Sequence, residues 1–148
     1  RSRIRRHYRH TNKQNSKCNN NTISNFLIQI KNASAVKKPF ISTSYSKMKE
    51  EITKILLKEN YIENYKIFGK APKKMIKIEL KYDENNLPAI QEIKRISKPG
   101  CRRYIKNKDL KSVKSGYGRY IVSTPKGLMS NIEAKKNSLG GEIICEIF

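Results

Sequence analysis

Residues 118–141, GRYIVSTPKGLMSNIEAKKNSLGG, hold the densest run of structural signals in the chain. Gly116-Tyr117-Gly118 breaks the backbone just before them, and Arg119-Tyr120-Ile121-Val122 reads as a short strand of β-branched and aromatic residues. Ser123-Thr124-Pro125-Lys126-Gly127 then gathers hydroxyls, a ring-fixed φ, a cation and a glycine. Ser130-Asn131-Ile132-Glu133 fits the S-x-x-E capping box, which predicts a helix opening at Ser130 directly after this loop. Gly140-Gly141 is expected to end that helix, and Glu142-Ile143-Ile144-Cys145-Glu146-Ile147-Phe148 to form a last strand. Hydroxyls, Lys and Gly on a strand-to-helix connection suit phosphate and ribose oxygens; an ordinary solvated turn is the plain alternative.

Upstream, Ile23, Phe26, Leu27 and Ile30 make the stripe of an amphipathic helix, capped by Asn21 or Thr22. Pro39-Phe40-Ile41-Ser42 is extended. Ser46 starts a second helix with Met48, Ile52, Ile55 and Leu56 on one face, stopping near Asn60. Residues 62–68 give a weak strand. In residues 73–82, Ile76, Ile78, Leu80 and Tyr82 alternate with Lys77, Glu79 and Lys81, the pattern of a strand with one wet face. Asp83-Glu84-Asn85-Asn86-Leu87-Pro88 is a turn cluster. Residues 89–97 read as strand, although the period of three in Ile90, Ile93 and Ile96 leaves a helix open. Lys98-Pro99-Gly100 turns, residues 102–105 extend, and residues 108–113 allow one helical turn. The fold class expected is α+β in two small modules: residues 21–82 in the order α-β-α-β-β, a linker at 83–88, and residues 89–148, mostly β with one short helix.

The 148 residues carry 33 Lys+Arg against 12 Asp+Glu, a formal charge of +21. Such an excess repels itself unless a polyanion neutralises it. Glu50 is the first carboxylate, and the chain from there on is still basic. Residues 1–20, with Arg1, Arg3, Arg5, Arg6 and Arg9, form a basic arm without hydrophobic period. Two readings compete for it: the remnant of an organelle-targeting segment, or an arm lying on RNA. No run approaches eighteen apolar residues, so no membrane span is expected. Cys18, Cys101 and Cys145 lie far apart, which argues for free thiols in a reducing compartment and against a zinc site or disulfide frame. Cys145 reads as core.

Catalysis finds little support. Ser123 and Cys101 lack an activating base, because His7 and His10 both sit in the arm, where they read as solvated. Gly116-x-Gly118 has no third glycine and runs into a strand, and no phosphate-loop motif is present. Glu50, Glu51 and Glu59 ride on a Lys-rich helix where i, i+4 pairing accounts for them. No cofactor, metal or small-molecule substrate is expected. For nucleic acid the inventory is better: Lys98, Arg102, Arg103, Lys106, Lys108, Lys111 and Lys114 surround Tyr104, a ring able to stack on a base or ribose.

Ser123-Thr124-x-Lys126-Gly127-x-Met129-Ser130, Glu133-Ala134 and Gly140-Gly141-Glu142-Ile143-Ile144-Cys145 together resemble the C-terminal signature of the bacterial-type ribosomal protein eight of the small subunit. Arg95-Ile96-Ser97-Lys98-Pro99-Gly100, Arg103-Tyr104 and Lys108-Asp109-Leu110 follow that family's order, so the resemblance covers residues 21–148. It implies the two-module form and a C-terminal module that grips a hairpin in the central domain of small-subunit ribosomal RNA. The gripping loop would be Ser123, Thr124, Pro125, Lys126 and Gly127, with Tyr104, Arg103, Lys98 and Gly100 beside it. Ser130, Glu133, Gly140 and Gly141 would support that loop, Glu133 as the family's bracing acid. Thr22, Ser46 and Lys47 match the family's N-terminal contacts. The family's Asp-Pro-Ile is here Asn21-Thr22-Ile23, and a typical arginine of the first helix is Gln29; both weaken the N-terminal contacts more than the fold.

The resemblance implies a non-catalytic ribosomal constituent whose partners are small-subunit ribosomal RNA and neighbouring small-subunit proteins. A free-standing regulatory RNA-binding or DNA-binding module would share the charge and is the alternative. The stretch from Met129 to Ala134 and the closing Phe148 look most like the α-proteobacterial branch. With 24 Lys, 14 Asn and 20 Ile, the composition suggests an A+T-rich genome. Together these point to a mitochondrial ribosome, with a plastid or a bacterial cytoplasm as alternatives.

Overall fold

A computed structural model describes residues 22–148. The expectations for the basic arm, for His7, His10 and Cys18, and for a cap at Asn21 lie outside the described residues.

The first half builds a three-stranded antiparallel sheet with two helices on it. Helix α1 (Thr22–Ala35) buries Ile23, Phe26, Leu27 and Ile30, the stripe read from the sequence. Strand β1 (Phe40–Ser44) leads to α2 (Lys47–Lys58), which buries Ile52, Ile55 and Leu56. Strands β2 (Ile62–Phe68) and β3 (Met75–Leu80) follow, and the sheet order is β1-β3-β2. In β3 the residues Ile76, Ile78 and Leu80 point inward while Met75, Lys77 and Glu79 stay half-exposed, as alternation requires of a sheet with one covered face.

The second half is an antiparallel sheet around its last strand. Strand β4 (Ile93–Arg95) and strand β5 (Tyr104–Ile105) pair end to end along one edge of β8 (Gly141–Ile147). On the other edge of β8 lies β6 (Arg119–Thr124), which pairs onward to β7 (Gly127–Ser130). Helix α3 (Asn131–Lys136) follows β7 without a linking residue. The architecture is α+β, with helices and strands alternating in the first half and a mostly stranded second half carrying one short helix.

Three local expectations need correction. Residues 89–97 were read as strand, yet only Ile93–Arg95 pairs, because the Gln91 and Glu92 amides both donate to the Phe148 carbonyl. Ser130 was expected to receive the chain straight from the 123–127 loop; instead β7 intervenes, so the loop is a hairpin turn. Gly140-Gly141 does not stop α3. That helix ends at Asn137, and Ser138 takes the left-handed turn at φ 55°.

One apolar cluster runs through both sheets. Phe26, Ile30, Ile52, Leu56, Ile76 and Ile78 continue into Ile90, Ile93, Ile121, Cys145 and Ile147 with no break at the turn 83–88. Truncating a member such as Ile121 to Ala costs about 2–5 kcal/mol at a site this closed. A smaller cluster of Leu110, Val122, Met129 and Ala134 seats α3 under β6 and β7.

Polar staples accompany the apolar contact. Three residues at and just after the end of α2 reach the second half of the chain. Lys58 pairs with Glu133, Glu59 accepts from Arg119 Nε at 2.8 Å, and the Tyr61 hydroxyl donates to the Tyr117 carbonyl at 3.1 Å. From α1, Ser24 Oγ accepts from Arg95 at 2.7 Å.

Candidate nucleic-acid interface

The turn between β6 and β7 is set by its own residues. Thr124 pairs with Gly127 across a two-residue connection, so Pro125 and Lys126 form the tip. Pro125 fixes its own φ. Gly127 has φ 115°, outside the range that side chains tolerate, while a Cβ there would meet nothing within 4 Å. Within the protein, its glycine character therefore serves conformation. The Thr124 hydroxyl donates to the Gly127 carbonyl at 2.8 Å and accepts from the Lys126 amide at 3.2 Å. Thr124 is buried and holds the turn, which leaves half-buried Ser123 as the hydroxyl on the open side.

That side faces a groove of about 740 Å³. One wall is Tyr104, Ile105, Lys106 and Asn107; the other is Ser123, Thr124 and Pro125; the floor comes from Ser138, Gly140, Gly141 and Glu142. The floor glycines explain how the walls come together. A Cβ on Gly141 would lie 2.0 Å from the Ser123 carbonyl oxygen, and one on Gly140 would lie 2.6 Å from the Ile105 carbonyl oxygen. Both are places of close backbone approach, not helix stops.

Tyr104 is 74% exposed at the groove's edge, so its ring is free to stack. The strand leading to it hangs from β8: the Arg103 carbonyl accepts from the Ile143 amide at 2.9 Å, and Lys98 and Cys101 exchange two backbone hydrogen bonds across Pro99-Gly100. Lys98, Gly100, Arg103 and Lys126 are all exposed. None of the four lines the groove.

Two contributors escaped the sequence reading. Glu142, on the floor, accepts from Arg102 at 2.8 Å. That guanidinium, helped by the Ser97 hydroxyl, holds the Glu142 carboxyl below the usual carboxylate range. The charge of this groove acid is thereby balanced in place by Arg102. Asn107 Oδ1 is buried in the wall with no hydrogen-bond partner. Only long-range geometry reveals either; no local motif marks them.

The supporting residues divide. Ser130 is fully buried and caps α3, its Oγ accepting from the Glu133 amide at 3.5 Å. The Glu133 carboxylate pairs with Lys58 of α2. Its link to the turn runs through the β7 backbone, where Ser130 faces Ile121.

Ser46 and Lys47 sit at the start of α2, and Ser46 makes no side-chain cap bond. Neither of these two lines the groove, and Thr22 opens α1. Near them the structure adds Lys49, which is 4% exposed. Its ammonium donates to Thr43 Oγ1, the Ser44 carbonyl and Ser44 Oγ, and burial lowers its pKa.

Among the described residues no group of three or more metal-ligating side chains is found, and no helix is long and apolar enough to cross a membrane. Cys145 is buried and its thiol is pushed up to about 12 by desolvation, whereas Cys101 is exposed.

Residues 21–148 match the family model described as ribosomal protein S8. The chain is 44% identical over 126 residues to the small ribosomal subunit protein uS8 of Dictyoglomus thermophilum, covering 85% of this chain and 95% of the relative. It is 43% identical over 126 residues to the uS8 protein of Solibacter usitatus, covering 85% and 96%. To that of Campylobacter hominis it is 43% identical over 129 residues, covering 87% and 98%.

Proposed function

The chain belongs to the ribosomal protein S8 family, a family of ribosomal structural proteins and not of enzymes, and on that premise we propose how it holds RNA. It is a structural constituent of the small ribosomal subunit, and it binds ribosomal RNA. The RNA element is a hairpin of the central domain, gripped by the C-terminal module of residues 89–148, with neighbouring small-subunit proteins as further partners. The observation that carries this reading is the groove between exposed Tyr104 and the Ser123 wall, with Lys126 at its tip. A-form RNA offers riboses, phosphates and a shallow groove to such a surface and hides its major-groove base edges, so shape and ribose contacts dominate. Lysines and arginines supply the salt-dependent affinity; Ser123 and Tyr104 supply register. Nothing in this mechanism requires a catalytic group.

The test is filter binding of the full chain to a central-domain hairpin and to a random duplex across a salt series. Lys126→Ala is expected to weaken both and to reduce the salt slope by about 1. Ser123→Ala and Tyr104→Ala are expected to weaken the hairpin alone. Equal losses on both RNAs in all three variants would refute the division of labour. Contacts from Thr22, Ser46 and Lys47 add to the grip, and their removal is expected to lower hairpin affinity without changing register in a footprint.

The ribosome in question is read as mitochondrial from the likeness of the stretch from Met129 to Ala134 and of Phe148 to the α-proteobacterial branch, together with the heavy use of Lys, Asn and Ile. The relatives named above are bacterial proteins, which makes a bacterial cytoplasm the competing location. Fractionation of the source cells decides it: recovery of the chain with cytosolic ribosomes excludes the organelle.

A further inference from the structure

Gly116-Tyr117-Gly118, singled out as a backbone break, has no part in the groove. In the structure it closes a left-handed loop: Lys114, Ser115 and Gly116 have φ of 43°, 56° and 99° in succession. Left-handed non-glycine residues cost energy and persist where the surroundings enforce them, often at ligand clamps. Here the Gly116 and Gly118 amides both donate to the Val113 carbonyl, at 2.9 and 3.0 Å. The Tyr61 hydroxyl, between α2 and β2, pins the loop through the Tyr117 carbonyl. The outcome is a tyrosine ring 86% exposed on a well-tied backbone.

Beside that ring is a slot of about 360 Å³ lined by Tyr61, Ala89, Gln91, Lys114, Tyr117 and Phe148. The Lys114 ammonium lies 3.4 Å from the centre of the Phe148 ring, and that of Lys94 lies 5.6 Å away. Neighbouring carboxylates are already matched: Glu92 pairs with Lys94 and Lys31, and Glu59 with Arg119. The slot therefore combines aromatic faces with the Lys114 ammonium. β6 separates it from the hairpin turn by about 20 Å, at roughly 3.3 Å per residue.

We propose that this slot is a second RNA contact, in which one unpaired base of single-stranded ribosomal RNA stacks on Tyr117 and its phosphate meets Lys114. One base and one phosphate need a π-face and a cation side by side, which is what the slot presents. A protein partner would need about 800 Å² of complementary surface, and a slot lined by six residues and edged by lysines falls short of that alone. The proposal rests on the RNA-binding reading of the chain but uses none of the groove's residues.

The experiment is a titration of the full chain into a single-stranded oligoadenylate hexamer carrying one 2-aminopurine, read by quenching at several salt concentrations. Tyr117→Ala is expected to lose the quench and about tenfold in affinity with an unchanged salt slope, because no charge is removed. Tyr117→Phe should keep both. Lys114→Asn, which tolerates the left-handed backbone, should lower the salt slope instead. The same comparison is made in a Tyr104→Ala, Ser123→Ala background, where the loss on Tyr117→Ala should persist, so a failed groove is distinguishable from a failed slot. Undiminished quenching and affinity in Tyr117→Ala overturns the proposal. So does ultraviolet crosslinking of assembled subunits in which Tyr117 joins a protein and no RNA.

Discussion

Gly141 and Gly127 both border the candidate interface, and substituting them is expected to fail in different ways. A methyl on Gly141 would be driven into the Ser123 carbonyl oxygen, backbone against backbone, with no side chain to give way. Gly141→Ala should destabilise by about 3 kcal/mol, the upper range for overpacking, and should part β6 from β8 at the groove floor. Gly127→Ala meets no atom and should cost only the left-handed penalty of about 1–2 kcal/mol. Urea denaturation of the two variants checks this order, and a costlier Gly127→Ala would contradict it. The sequence announced both glycines but not their reasons, since a close approach between residues 123 and 141 belongs to the pairing of distant strands. The thiols offer a second check at this scale. With its pKa near 12, Cys145 is a thiol at pH 8 and should resist iodoacetamide until the chain is unfolded, while exposed Cys101 reacts at once. Peptide mass mapping reads both.

Among the elements, those with strong local periods were legible: the stripe of α1, the alternation of β3 and the Ser130 cap of α3. β7 was not, because Gly-Leu-Met-Ser is short, begins with glycine and becomes a strand only through its pairing with β6. The end of α2 was misread for a related reason. Glu50 does pair with Lys54 at i, i+4, but Glu59 turns away from its own helix to Arg119. Such staples should differ in strength. Lys58 is mostly exposed, so Lys58→Met should cost at most about 1 kcal/mol. Glu59→Gln strips a charge from a half-buried guanidinium and should cost about 1–3 kcal/mol. Thermal melts of the two variants test the ranking. In the β5–β8 corner, Glu142 carries a pH signature. Its carboxyl is held below the ordinary glutamate range, first by Arg102 and then by Ser97. A group with a depressed folded pKa adds stability above its unfolded pKa and loses it as pH falls through the folded one. Glu142→Gln should therefore flatten the decline in stability below about pH 4.5, and an unchanged acid limb would count against the assignment.

For the molecule as a whole, charge and the family pattern were the most legible features, and the joining of its parts the least. Composition pointed to a polyanion partner, and the Ser-Thr-x-Lys-Gly order pointed to the candidate site; neither hints that one apolar cluster runs from Phe26 to Ile147. From that continuity we predict a single cooperative unfolding transition, with far-ultraviolet dichroism and tyrosine fluorescence coincident. Two separable transitions would show that the halves melt independently. The arrangement of the second sheet has a temporal corollary. β4, β5 and β6 all pair with β8, which follows every other strand in the chain. Until a nascent copy has been translated through Ile147, its earlier strands have no common partner and the two walls around Tyr104 and Ser123 have nothing to converge on. An interrupted translation product would thus be unable to occupy the site of an intact one, a quality control written into strand order alone.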